Sequence, residues 1–313
     1  MYRIGIDLGG TYVKAGLVSK EGKIIVKSKI PTLIKRPYGE VLKDIANQAL
    51  KLCEDARVPF GDVESVGMGC PGAITGSTGV VCYSNNLEWL NVPAGEVLSK
   101  LLNKPVKISN DANVAALGEA IYGAGKKYDD IIMLTLGTGV GGGIVIGKKL
   151  YEGNESKGAE LGHAIISVGG ELCSCGRRGC IEAYSSASAL IRDTKRAMME
   201  DRKSKMWDLV DGDLNLVNGE TAFLCEKLGD AAASMVVKRY VFYLSEAIMN
   251  FCNIFRPQAI VLGGGVCAEG PNLTNRIIEL CKEGHYGYKG TPKVDIVIAE
   301  LKNDAGLLGA AAL

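Results

Sequence analysis

One pattern occurs twice in this chain, and it restricts the fold more than any other feature. Residues 3–8 (RIGIDL) form an apolar run, Gly9-Gly10-Thr11 interrupts it, and a second run follows from Tyr12 to Val18. At 131 the pattern restarts, with IIMLTL, then GTGVGGG, then IVIGKKL. Short β-branched runs on both sides of a glycine turn read as strand, turn, strand. Its recurrence predicts an internal duplication and therefore two related halves.

Around these units, further strands are predicted at 24–29, 64–69, 79–83, 106–109, 259–262 and 293–298. Helices are predicted at 39–57, 112–123, 185–199, 230–255, 272–283 and 304–313. The helix at 230–255 is the clearest, because Val237, Val241, Leu244, Ile248, Phe251 and Phe255 recur at three- and four-residue spacing. Strands alternate with helices in both halves, which gives an α/β class with two lobes and an interdomain cleft. The expected division is an N-terminal lobe over 1–122 and a larger lobe over 123–303, with the last helix (304–313) returning to the first.

A chain of 313 residues can hold two such lobes, and its 47% hydrophobic and 23% charged residues are ordinary for a globular protein. A net charge of +1 offers no field for nucleic acid. The opening MYRIGIDLGG lacks the apolar core of a signal peptide, and no apolar run reaches the ~18 residues of a membrane span. The expectation is a cytoplasmic protein, with its thiols reduced and no membrane partner. Seven cysteines (Cys53, Cys70, Cys82, Cys225, Cys252, Cys267 and Cys281) stand singly among apolar neighbours and read as small buried hydrophobes. Glycine is the departure: 41 residues, clustered at strand ends, where they would let backbone close on a ligand.

Three glycine turns leave strands, at Asp7–Thr11, Gly137–Gly143 and Gly263–Gly265. One such turn equally suits a plain hairpin; three, two of them carrying threonine, favour nucleotide phosphates. Gly137, Gly139 and Gly142 satisfy GxGxxG, but a strand follows them where a dinucleotide fold needs a helix. The chain has no HRD or DFG and no GxxxxGK[ST], which excludes protein kinases and P-loop enzymes.

His163, Cys173, Cys175 and Cys180 form a separate constellation, H-x9-C-x-C-x4-C. Thiolates and imidazole in a set of four suit tetrahedral Zn²⁺, and four protein ligands leave no open position, so such an ion would be structural. Buried thiols or a redox pair fit less well, because the segment is polar and holds Arg177 and Arg178.

The stretch IGIDLGGTYVKAG (4–16) resembles the first phosphate loop of the sugar-kinase, chaperone-ATPase and actin superfamily. Within it, GAELGH (158–163) and CSCGRRGCIEAY (173–184) resemble the ROK family, most closely its bacterial glucokinases, and the likeness runs to NDAGLLGAAAL at the C-terminus. The resemblance implies an actin-like (ribonuclease H-like) ATPase fold, ATP with Mg²⁺, and a homodimer. It implies transfer of the γ-phosphate to the 6-hydroxyl of D-glucose, with Asp111, in ISNDANVAALGEA, as general base and Asn110 as a sugar ligand. An Asp at this strand-to-helix junction is also an ordinary N-cap, a role that Asn113 could take instead.

Further sugar contacts implied by the resemblance are Gly72 in CPGAI, Asn86 in SNNLEW, Glu160, His163 and Glu182. Asn85 rivals Asn86, Trp89 reads as packing, and the two glutamates also suit solvated loop charges. In the family the histidine meets sugar through one nitrogen and zinc through the other. For the nucleotide the resemblance implies Asp7 at Mg²⁺, Gly9, Gly10, Thr11 and Lys14 on the first hairpin, and Gly137, Thr138 and Gly139 on the second. Gly264 and Gly265 would flank the adenosine. Kinases of N-acetylmannosamine, fructose, N-acetylglucosamine or allose share these residue types. A sugar-sensing ROK regulator would carry a winged-helix segment ahead of residue 7, and the neutral charge also speaks against one.

Overall fold

The apolar runs become strands in the computed structural model, which describes residues 1–313. Along the first part these are β1 (Tyr2–Leu8), β2 (Tyr12–Ser19), β3 (Ile24–Pro31), β4 (Val63–Cys70), β5 (Ala73–Thr75), β6 (Val80–Ser84), β7 (Trp89–Val92) and β8 (Val106–Asn110). The rest are β9 (Ile131–Leu136), β10 (Val140–Ile146), β11 (Lys149–Tyr151), β12 (Ala259–Gly263) and β13 (Asp295–Ile298). They form two five-stranded sheets, ordered β3-β2-β1-β4-β8 and β11-β10-β9-β12-β13, and a small sheet β5-β6-β7. Both large sheets have the same order, in which a meander of three strands is followed by two more on its far side. In the first, β2 runs antiparallel to β1 and β3, while β4 is parallel to β1 and to β8. In the second, β11 is antiparallel to β10 and β13 parallel to β12.

The helices are α1 (Tyr38–Ala56), α2 (Ala94–Leu102), α3 (Asp111–Tyr122), α4 (Glu182–Ser185), α5 (Ala187–Glu200), α6 (Met206–Leu209), α7 (Thr221–Lys227), α8 (Ala231–Phe255), α9 (Pro271–Cys281) and α10 (Ala305–Ala311). None is long and apolar enough to cross a membrane. The chain divides into two compact units, one of residues 1–131, 143–159 and 299–313, the other of 132–142 and 160–298.

In the first unit α1 buries Val41, Leu42, Ile45, Ala49 and Leu52 in one cluster with Ile4, Ile6 and Leu17. Each fully buried Leu, Ile or Val contributes about 1.5–3 kcal/mol. The helix stops where Arg57 turns left-handed, at φ 54°, and returns its N–H to the last turn. In the second unit α8 begins at Asp230, whose carboxylate accepts the Ala233 N–H at 2.7 Å. Its buried face includes Val237, Val241, Leu244, Ile248 and Phe251.

Three sequence expectations are corrected here. IVIGKKL is not one strand: Gly147 and Lys148, at φ 56° and 61°, turn it into β10 and β11. Gly141 to Gly143 lie within β10, so the glycine turn proper is Gly137–Gly139. Cys82 is half-buried with its sulfur 3.2 Å from the Thr75 hydroxyl, whereas the other six single cysteines are buried; all ten are free thiols.

Part of the glycine excess serves packing. A Cβ on Gly5 would lie 1.9 Å from the Leu307 carbonyl oxygen, and one on Gly67 2.0 Å from that of Ala310. One on Gly309 would lie 1.6 Å from the Val114 carbonyl oxygen. The absent side chains let α10 seat its backbone directly on β1, β4 and α3.

Candidate functional site

In the first unit, β1 ends at the turn Gly9–Thr11, which folds on itself. The Gly9 N–H donates to the Tyr12 carbonyl at 3.0 Å, and the Thr32 N–H and hydroxyl reach the carbonyls of Thr11 (2.9 Å) and Gly9 (2.7 Å). Register places Asp7 opposite Lys14, and the Lys14 ammonium lies 3.1 Å from the Asp7 carboxylate. Gly306 at the start of α10 leaves that carboxylate uncrowded, since a Cβ there would stand 3.1 Å from it. Gly10 lies against the Asn86 carbonyl, 2.8 Å from where its Cβ would be. The turn carrying Asn86 is therefore beside the first hairpin. Asn85 accepts from the Tyr83 hydroxyl at 3.5 Å, and Trp89 is buried.

β8 delivers Asn110 and Asp111 to the start of α3. Asn110 is the cap: its Oδ1 accepts from the N–H groups of Ala112 (2.9 Å) and Asn113 (3.4 Å). Both cap assignments offered by the sequence, Asp111 and Asn113, are thus corrected. Asn110 keeps β-region backbone (φ −60°, ψ 147°), so the cap falls one residue earlier. Its Nδ2 donates to the Gly72 carbonyl at 3.1 Å, and Gly72 (φ 115°) cannot be replaced, because a Cβ would lie 2.2 Å from the Tyr83 oxygen.

Asp111 keeps a face open to solvent, and its hydrogen bonding is local, chiefly from the Ala112 N–H at 2.9 Å. Protein atoms around the carboxyl strip enough hydration to push its pKa above the ordinary aspartate value. The Ala112 N–H pulls it down, and the Asp7 carboxylate adds to the rise. Just before it, Ser109 hydrogen-bonds to Glu152.

In the second unit, the Gly137 N–H donates to the Gly139 carbonyl at 3.0 Å, closing the second turn. Gly264 (φ 94°) abuts Leu136, with 2.4 Å between its missing Cβ and the Leu136 oxygen, which brings the third turn beside β9. Gly265 opens a 3₁₀ turn over 265–269 with free space around it.

His163 Nδ1 lies 3.6 Å from Cys173 Sγ, and Cys175 Sγ lies 3.7 Å from Cys180 Sγ. All four ligand atoms fall within 4.8 Å of one another. Bonds of ~2.3 Å to sulfur and ~2.0 Å to nitrogen give a tetrahedron with edges of about 3.5–3.8 Å, so the donor set and its spacing fit Zn²⁺. Burial pushes the Cys173 thiol up to about 12 and raises Cys180, while the Arg177 backbone N–H lowers Cys175. Gly176 and Gly179 (φ 86° and 88°) turn the loop, and Tyr184 accepts the Glu171 N–H at 2.8 Å beneath it.

Glu160 is exposed just ahead of the 3₁₀ turn Leu161–His163. Glu182 is engaged on both oxygens: Oε2 accepts the Val140 N–H at 3.1 Å, and Oε1 accepts the Ser174 hydroxyl at 2.6 Å. The sequence pattern had marked Glu182 but neither Ser174 nor Val140. A further carboxylate, the fully buried Glu119, accepts the N–H groups of Ala124 (2.8 Å), Glu300 (3.1 Å) and Leu301 (2.7 Å). Its one sequence signal was a charge on the apolar face of α3.

A model of the ROK family matches residues 3–313. A glucokinase of Thermotoga maritima is 37% identical over 314 residues, covering 99% of this chain and 96% of the relative. Among solved structures, a ROK family glucokinase from Streptomyces griseus in complex with glucose and AMPPNP is 32% identical with a TM-score of 0.79, covering 100% of this chain and 98% of that one. A ROK hexokinase from Thermus thermophilus is 30% identical with a TM-score of 0.84, covering 99% and 97%.

Proposed function

This chain belongs to the ROK family and has its actin-like ATPase fold, and from that premise we propose that it is an ATP-dependent hexose kinase acting on the 6-hydroxyl of D-glucose. Support comes from its likeness, over nearly its whole length, to glucokinases, one of them solved with glucose and an ATP analogue. Within the molecule, one observation carries the reading. Asn110 takes the cap of α3, which leaves Asp111 a carboxylate of raised basicity with no distant partner.

Asp111 accepts the proton of the 6-hydroxyl as that oxygen attacks the γ-phosphorus. The new O–P bond forms, the bond to the β–γ bridging oxygen breaks, and ADP leaves. Mg²⁺, when bound, neutralises charge developing on the phosphates, and Asp7 is the residue that would hold it. Lys14 and the backbone N–H groups of Gly10 and Thr11 serve phosphate oxygens, as do those of Thr138 and Gly139, while the N–H groups of Gly9 and Gly137 close the two turns; Gly264 and Gly265 flank the adenosine.

Asn110, fixed by the Gly72 carbonyl, keeps its second amide hydrogen for sugar. Asn86 is preferred to Asn85, whose side chain already meets Tyr83. Glu160 and Glu182 accept from sugar hydroxyls. His163 turns Nδ1 toward Cys173, which leaves Nε2 for the hexose. Zn²⁺ on His163, Cys173, Cys175 and Cys180 is structural.

Coupled ADP release tests this against glucose, fructose, allose, N-acetylglucosamine and N-acetylmannosamine. The expected result is glucose-dependent turnover that falls about 10²–10⁴-fold in Asp111→Asn. ADP release indifferent to sugar, or an active variant, would overturn the mechanism.

A further inference from the structure

The hydrogen bonds of Glu182 reach beyond any contact with sugar. Its Oε2 holds the Val140 N–H at 3.1 Å, immediately after the second glycine turn. At the other end of that turn, the Ala187 N–H donates to the Gly137 carbonyl at 2.8 Å. Both ends of Gly137–Gly139 are thus tied to the segment 182–187. Gly139 belongs to the same device, because a Cβ there would stand 2.3 Å from Oε2 and push the carboxylate away.

The second carboxylate oxygen points back to the cysteine loop, accepting from Ser174 between Cys173 and Cys175, with Cys173 Sγ 3.4 Å away. The backbone under Glu182 is fixed: Cys180, Ile181, Ala183 and Tyr184 are buried, and the Ile181 N–H bonds to the Ala164 carbonyl at 2.9 Å. One side chain therefore joins two structures that lie far apart in sequence.

We propose that Glu182 is a positioning residue through which order in the cysteine loop, and the metal bound there, sets the Gly137–Gly139 turn for nucleotide phosphate. This rests on reading that turn as a phosphate clamp. An unbraced turn must be ordered when the nucleotide arrives, and that entropy is lost from affinity.

The test is calorimetric titration of zinc-loaded protein with a non-hydrolysable ATP analogue and Mg²⁺, without sugar. Glu182→Ala is expected to raise the Kd about tenfold or more, and Ser174→Ala about two- to fivefold, because the bond to Val140 survives. Zinc content and circular dichroism check that each variant is folded, and Glu182→Gln, which keeps shape and one acceptor, should fall between wild type and Glu182→Ala. Chelation of zinc should weaken analogue binding in the wild type and add little in Glu182→Ala, since the two share one path.

Hydrogen exchange at Val140 separates this proposal from the kinase reading. If the chain is no nucleotide enzyme, no form binds the analogue and the link to phosphate falls with it, although Val140 still loses protection in Glu182→Ala. If Glu182 contacts sugar alone, Glu182→Ala binds the analogue as the wild type does, Val140 stays protected, and only the hexose Kd rises. That last pattern would overturn the proposal, as would additive effects of chelation and mutation.

Discussion

The two strand–turn–strand units begin sheets of the same order, yet their turns are maintained differently. Gly9–Thr11 is closed by its own backbone and by Thr32, just past the end of β3, and its unit supplies the charged groups Asp7, Lys14 and Asp111. Gly137–Gly139 carries no charge and is held by Glu182 and Ala187. The duplicated scaffold has thus divided its labour. On the proposed function, one copy presents ionisable groups to the reaction, and the other presents backbone held by side chains and backbone outside the turn. Substitutions in the first unit should act mainly on turnover and its pH dependence, and those at the second turn mainly on nucleotide affinity.

Asp111→Asn gives the largest expected effect, the 10²–10⁴-fold loss of turnover already stated. Its stability should move the other way. A carboxyl whose pKa is raised by folding stabilises the folded state fully only below its unfolded pKa, and that contribution is lost as pH rises through the folded value. At neutral pH the ionised Asp111 therefore works against folding, and Asn does not. Thermal unfolding at pH 7 should give a higher Tm for the variant, with the gap closing in acid. The wild-type pH–rate profile should show an acid limb above the ordinary aspartate range. A variant both inactive and less stable at neutral pH would mean that Asp111 is structural.

Gly139→Ala tests the braced turn. Its Cβ would meet the Glu182 carboxylate, which is the end of a side chain and can swing aside, so the protein should fold. In swinging, Glu182 gives up Val140, and the analogue Kd should rise about tenfold with kcat changed much less. An equal fall in kcat at unchanged Kd would erase the division between the two units.

Much of this was legible in sequence, for physical reasons. The strands of both hairpins are continuous apolar runs because they are central and covered on both faces. The histidine–cysteine cluster was legible because its four members lie within eighteen residues, from His163 to Cys180, and their chemistry is distinctive. α2 was not, being nine residues between short strands. The cap at Asn110 depends on backbone angles that the tripeptide Asn-Asp-Ala leaves open. The bond from Glu182 to Val140 spans 42 residues and leaves no pattern in the chain. Likewise, nothing local says that Gly5 and Gly309 exist to admit α10, because the contact is visible only once the helix has returned.

Lys14→Met should have a smaller effect. The pair with Asp7 is partly exposed, and such pairs contribute about 0.2–1 kcal/mol, so the stability of the fold should change by no more than that. Removing the ammonium leaves the Asp7 carboxylate uncompensated toward Asp111, which already feels it. The acid limb of the pH–rate profile should therefore move further up. A downward move would mean that Lys14 does not moderate the field at the base.

The smallest expected effect is the most discriminating control. Gly137 lies in the same turn as Gly139, two residues away, and both would ordinarily count as phosphate-loop glycines. A Cβ on Gly137 meets nothing within 4 Å, and its φ lies outside the left-handed region, so alanine costs neither space nor strain. Its N–H and carbonyl keep their bonds to Gly139 and Ala187. If the turn works through its bracing, Gly137→Ala should bind the analogue within about twofold of wild type while Gly139→Ala loses about tenfold. Equal losses at the two positions would mean that phosphate approaches so closely that any Cβ in the turn is excluded, and the difference between the two turns would then lie in the ligand.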